Sequence, residues 1–161
     1  MGTVLIREKK PGPIEEGMLV ISRVLPNIGD VVDQHFIIAD GRFRLVSFNI
    51  VWTVASTSGT VTVRKCTGTQ APASGVAMLV SPLAFSGAAN NNSAGTLATT
   101  RTGGVENIVL ENGDRLSLDF GGTLTGIVGL CVTAVLMPIP PRVFFQAPGI
   151  SGNKGGDGEI D

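Results

Sequence analysis

Tyrosine is absent from this chain, and histidine and tryptophan occur once each, as His35 and Trp52. Surfaces that recognise glycans or act like paratopes usually lean on tyrosine, so its absence argues against one. One histidine cannot build a Ser/His/Asp set from scattered serines, and no metal-binding spacing surrounds it. Charge is also scarce. Asp, Glu, Lys and Arg make up 16% of the chain, against about 25% in an average globular protein. The formal net charge is -1, which leaves no basic field to draw a phosphate backbone. The small cluster Arg7, Lys9, Lys10 is followed by Glu15 and Glu16, so it reads as a mixed, solvated arm. Nucleic acid is not an expected partner.

Cysteine is represented by Cys66 and Cys131 alone. Neither belongs to a CxxC or Cys/His pattern. Both fall in expected strands and read as small buried hydrophobes, with a disulfide between strands left open. The longest apolar run, 127–139, is broken by Gly129 and Pro138 and is too short for about 30 Å of hydrocarbon. No membrane partner is expected, and the N-terminus carries no secretory pattern. No segment has the periodicity of an amphipathic helix.

What is present is glycine, 22 residues of it, with many threonines and serines between Thr53 and Thr133. Mean hydropathy is +0.32. So apolar a chain with so few charges suggests a surface partly covered by another subunit, and a homo-oligomer is expected, a trimer first and a dimer second. At 161 residues the chain fits one domain with tails.

The clearest local pattern is Glu111-Asn112-Gly113-Asp114 followed by Arg115 to Phe120. Leu116, Leu118 and Phe120 alternate with Arg115, Ser117 and Asp119, the period of a half-buried strand. Asn112-Gly113 signals a hairpin turn, and this strand and the run 127–137 read as neighbours. Upstream, strands are expected over 18–24, 31–39, 43–55, 60–66, 76–80, 96–100 and 107–110, separated by turn residues such as Asp40-Gly41. Val61 and Val63 should point inward, with Thr60, Thr62 and Arg64 outward. About eight strands at regular spacing imply an all-β fold, an antiparallel β-sandwich or jelly roll, over 17–139. Residues 1–16 and 140–161 are expected to be extended arms. The first is broken by Pro11-Gly12-Pro13. The second leaves through Pro138-Ile139-Pro140-Pro141 and becomes Gly-rich.

No catalytic, cofactor or metal residues emerge. Asp114 and Asp119 lie too awkwardly along one strand for an acid/base pair, and Asp114 is expected to accept local N–H groups in the turn. Asn90-Asn91-Asn92-Ser93 lacks the alternating carboxylates of a calcium loop. Gly103-Gly104 and Gly121-Gly122 lack the strand-to-helix setting of a phosphate loop. Trp52 is expected in the core, as is usual for a lone Trp on a β-branched strand.

Three blocks carry a family resemblance. They are Phe43-Arg44-Leu45-Val46-Ser47-Phe48-Asn49-Ile50-Val51-Trp52, then Gly59-Thr60-Val61-Thr62-Val63-Arg64-Lys65-Cys66-Thr67-Gly68-Thr69-Gln70-Ala71-Pro72, then Asn112 to Phe120 with Gly122-Thr123-Leu124-Thr125-Gly126 and the closing strand. Over roughly 30–137 the chain resembles small β-sandwich structural proteins of tailed bacteriophages, of the head decoration or cement type. The resemblance implies a non-enzymatic virion protein on the capsid surface, made in the host cytoplasm. Its partner would be the major capsid protein, and its task capsid stabilisation without cofactors. Val4, Leu5, Ile6, Phe144 and Phe145, apolar groups on tethers, are then the expected anchors. The alternative is a tail-fibre, baseplate or adhesion module that binds a host-surface glycan, using Trp52 and the loop Asn90 to Ser93.

Overall fold

The computed structural model describes residues 17–140. These form strands β1 (Leu19–Leu25), β2 (Gln34–Ile38), β3 (Phe43–Val51), β4 (Thr60–Cys66), β5 (Val76–Ala77), β6 (Leu83–Ala84), β7 (Ser93–Ala94), β8 (Arg101–Thr102), β9 (Val105–Glu106), β10 (Val109–Leu110), β11 (Arg115–Gly121) and β12 (Leu130–Pro138). Two single 3-10 turns, Ile28–Asp30 and Pro72–Ser74, are the helical elements among the described residues. The protein is all-β, and its strand pairings are antiparallel.

The strands divide between two larger sheets and a small ribbon. The first sheet runs β1-β12-β3-β10, with β7 also on β3, and the second runs β2-β11-β4-β5, with β6 on β4. The ribbon is β8-β9. One hydrophobic cluster joins the two larger sheets. Leu45, Phe48, Ile50, Val132, Ala134 and Leu136 enter it from the first, and Val61, Val63, Leu116 and Leu118 from the second. Trp52, Met78, Phe85 and Ile127 fill it from connecting segments. Phe85 meets Trp52 edge-on at 5.7 Å between centroids and stacks on Phe120 at 6.3 Å, both separations within the range of favourable aromatic pairs.

The long strands follow the alternation that specified them. β4 begins and ends where the pattern placed it, with Val61 and Val63 in the core. Lys65 shares their row. It is buried at the end of the core, and its ammonium donates to the Val109 carbonyl at 3.0 Å, tying β4 of one sheet to β10 of the other. Other elements differ from the expected boundaries. β2 starts only at Gln34, because Val31 caps the turn at Ile28–Asp30 and drops into the core from the loop. β3 stops at Val51, one residue before Trp52. The segments 76–80 and 96–100 shrink to β5 and a single bridge between Leu79 and Leu97. Twelve strands therefore replace about eight, the added ones two residues long.

Two expectations are overturned. The run 127–137 is not a neighbour of β11, since β12 lies between β1 and β3 while β11 lies between β2 and β4. The Asn112-Gly113 turn does not close a hairpin. It carries the chain from β10 in the first sheet to β11 in the second. The reason is local. A two-residue type I′ hairpin needs positive φ at both central residues. Here Gly113 has φ 86°, and Asn90 is the one non-glycine with positive φ among the described residues. With Asp114 N–H donating to the Glu111 carbonyl at 3.0 Å, the geometry is that of a type II turn. Asp40-Gly41 is likewise a passage from β2 to β3, not a hairpin. The two crossings lie side by side: Gly41 N–H donates to Asn112 Oδ1 at 3.1 Å and Gly113 N–H to the Ala39 carbonyl at 2.8 Å.

Candidate docking surface

The core-facing row of each strand leaves the opposite row to the outside, and the two sheets use that row differently. In β12, Val132, Ala134 and Leu136 are buried, so Cys131, Thr133, Val135 and Met137 face away. Register then places Val24 beside Cys131, Ser22 beside Thr133 and Val20 beside Val135 on one flank. On the other flank Val51 sits beside Cys131, Asn49 beside Thr133 and Ser47 beside Val135. Along β1 the three-strand face carries no charged side chain; at its far end Arg44 lies beside Met137. Val20 and Val24 are each 62% exposed. Beyond the strand ends, exposed Val54 and Val128 are joined by a β-bridge. Its one side-chain hydrogen bond across β1 and β12 links the Ser22 and Thr133 hydroxyls at 2.8 Å.

β1 is also an edge. It pairs with β12, and no described strand lies against its other side. Exposed apolar edges invite pairing with another chain unless charge, proline or a bulge blunts them. In β1 only Arg23 is charged, and its ladder with β12 runs unbroken from Leu19 to Leu25.

The outward row of the second sheet is mostly polar, with Ile38, 71% exposed, beside Arg115 at its edge, and most of its polar groups are paired, the buried Arg115 Nε excepted. Arg64 Nε donates to Asp119 Oδ2 at 2.6 Å, and its NH1 donates to the Gly75 carbonyl at 3.0 Å. Arg115 donates to the Gln70 carbonyl at 3.0 Å. His35 Nδ1 and Ser117 Oγ share a hydrogen bond of 2.5 Å. Ser117 is fully buried, so this pair offers no accessible nucleophile. Cys66 is buried under the loop after β4, with Sγ 3.4 Å from the Ala71 carbonyl, and both Cys66 and Cys131 are free thiols.

A third region gathers charge at the end of the first sheet. A cavity of about 260 Å³ is lined by Arg42, Arg44, Arg101 and Glu106, among others. Each arginine already has a carboxylate: Arg42 pairs with Glu111 at 2.9 Å, Arg44 with Glu106, and Arg101 with Glu106 at 3.7 Å. Arg44 and Arg101 share Glu106, so three guanidinium groups meet two carboxylates here, and the buried Arg44 Nε has no partner.

The expected anchors Val4, Leu5, Ile6, Phe144 and Phe145 lie outside the described residues. Trp52 is core, 1% exposed. It offers no exposed platform for a sugar ring. The Asn90 N–H donates to the Trp52 carbonyl at 2.7 Å, so the polar loop packs over the tryptophan instead of framing a cleft with it. Asp114 Oδ2 accepts the Glu111 N–H at 2.9 Å, the turn role expected of it. Asp119 belongs to Arg64. No group of three or more His, Cys, Asp or Glu side chains converges among the described residues.

Sequence reasoning passed over the uncharged face. The signal was present in β1, whose two rows are both largely apolar: Leu19, Ile21 and Leu25 on one, Val20 and Val24 on the other. A strand apolar on both rows is the pattern of one covered on both sides.

No protein-family model, curated protein or solved structure matches this chain.

Proposed function

We propose that this chain is a non-enzymatic structural protein of a tailed-phage virion: a capsid decoration, or cement, protein that bridges and stabilises major capsid protein subunits. In this reading the two sheets form a sandwich of jelly-roll type, displayed on the capsid surface as a homo-oligomer, and the arms before Gly17 and after Pro140 make the bridging contacts. The observation that carries it is where the arms leave. Gly17 packs so closely on Pro138 that a Cβ there would sit 2.9 Å from the proline ring. Both arms therefore depart from one corner of the first sheet, where Ile139 N–H donates to the Arg42 carbonyl at 2.9 Å beside the arginine cluster.

That arrangement suits a clamp. An extended arm of 16 residues reaches about 50 Å. Two arms rooted at one point bind a seam together, each raising the effective concentration of the other. Val4, Leu5, Ile6, Phe144 and Phe145 would supply the buried anchors that dominate interface energy. The mostly polar second sheet would face solvent. The test is deletion of residues 1–16 or 140–161, followed by measurement of occupancy on capsids. Loss of occupancy in either truncation is expected. Wild-type stoichiometry in both would sink the clamp.

A further inference from the structure

We propose that the free edge of β1, with the uncharged face beside it, is the docking surface for a second copy of this chain, joined antiparallel about a two-fold axis through Ser22. This rests on the fold and not on the virion reading.

β1 reads Leu19-Val20-Ile21-Ser22-Arg23-Val24-Leu25. Reversed about Ser22 it is nearly itself: Leu matches Leu, Val matches Val, and only Ile21 and Arg23 exchange. An isologous contact sets each residue against its mirror position in the partner, so here leucine would meet leucine and valine would meet valine. Antiparallel pairing sets Val20 opposite the partner's Val24, twice, on the uncharged row. Both valines are 62% exposed in the single chain. Ile21 then faces the partner's Arg23, whose aliphatic stem can lie along it while the guanidinium reaches water. The two Ser22 residues meet at the axis. The unpaired main-chain groups along the edge gain partners, which removes the hazard of an open apolar strand.

Charge and chain exit choose this occupant over others. Along β1 the face offers a partner no charge to recognise, so it fits a surface as uncharged as itself, and its own copy supplies one. The two-fold also places the Gly17 and Pro138 corner of each copy beside the Leu25 end of the other. Arms that leave there start out across the partner's sheet.

The test uses the full chain. Sedimentation at micromolar concentration should give twice 16.6 kDa. The double substitution Val20→Asp, Val24→Asp should bring the mass down to that of one chain, with the far-ultraviolet strand spectrum unchanged. Ser22→Cys in a Cys131→Ser background gives a second, independent reading. Cα atoms directly opposite in an antiparallel pair lie about 4.5–5.5 Å apart, within disulfide range. A covalent dimer should therefore form under mild oxidation, and far less of it with Thr69→Cys in the loop after β4. A monomeric wild type overturns the proposal, and one that dimerises only after removal of residues 1–16 assigns the edge to the chain's own arm. A trimer overturns the two-fold. So does a Ser22→Cys chain that cross-links no better than the Thr69→Cys control.

Discussion

The first and second sheets share one core but turn opposite chemistry outward. On the second, Arg64, Asp119, His35 and Ser117 pair with one another or nearby main chain, Arg115 donates to Gln70 while its buried Nε has no partner, and Ile38 is the exposed apolar group at the edge. On the first, Val20, Val24, Cys131, Val135 and Val51 offer apolar groups and no charge. A surface that spends its hydrogen bonds internally has little left for a partner. The first sheet's face has small hydroxyl and amide groups, Ser22 and Thr133 among them, and exposes two valines on an edge strand. That difference is the reason the proposed association is placed on the first sheet.

The comparison breaks most severely if the common core is cut. Phe48 is fully buried beneath the first sheet. Phe48→Ala should cost about 3–5 kcal/mol, from lost transfer energy and the cavity left behind. Chemical denaturation followed by tryptophan fluorescence reports it, since Trp52 lies in the same cluster. Both faces should be lost in one transition. Two separated transitions would mean that the sheets do not share a core.

Next in size is the polar face. Asp119→Ala leaves the largely buried Arg64 Nε without its acceptor, a loss of about 1–3 kcal/mol. The oligomer mass should not change, because that face is turned away from the association surface. A loss of association equal to the loss of stability would place the interface on the wrong sheet. Asp114→Ala removes the carboxylate that accepts the Glu111 N–H and should cost about 1 kcal/mol. Its effect should appear as faster amide exchange around the crossing between β10 and β11, and at Ala39, which touches that turn.

Period-two alternation made the strands of the core legible. β4 and β11 stand where Val61, Val63, Leu116 and Leu118 placed them, because only one row of each is apolar enough to line the core. Alternation says which row goes inside. It does not say which strand lies alongside, so β11 and β12 looked like neighbours although they belong to different sheets. The Asn112-Gly113 turn misled for a related reason: the dipeptide permits a type I′ hairpin but does not require one. Only the backbone angle of Asn112, set by contacts with Ala39 and Gly41 from a distant crossing, decides the outcome. The uncharged face was legible in principle, in the two apolar rows of β1. It was overlooked because the tethered triplet Val4-Leu5-Ile6 and the pair Phe144-Phe145 are more conspicuous apolar patches.

The smallest effect on stability is the most telling for the comparison. Val24 is exposed on the single chain, so Val24→Thr, nearly the same shape with a hydroxyl, should change the stability of the dilute monomer by less than about 0.5 kcal/mol. In the dimer Val24 meets the partner's Val20 at two symmetry-related places, and each copy of the substitution buries a hydroxyl with no acceptor opposite it. Dissociation should be easier by about 1–3 kcal/mol per site, roughly tenfold or more in the dimer constant even at the lower end. A matched substitution on the second sheet, Thr62→Val, exchanges the same two groups in the other direction and should leave association unchanged. If Val24→Thr and Thr62→Val shift the sedimentation equilibrium equally, the uncharged face is ordinary surface. If only Val24→Thr moves it, a single hydroxyl separates the sheet that binds from the sheet that does not.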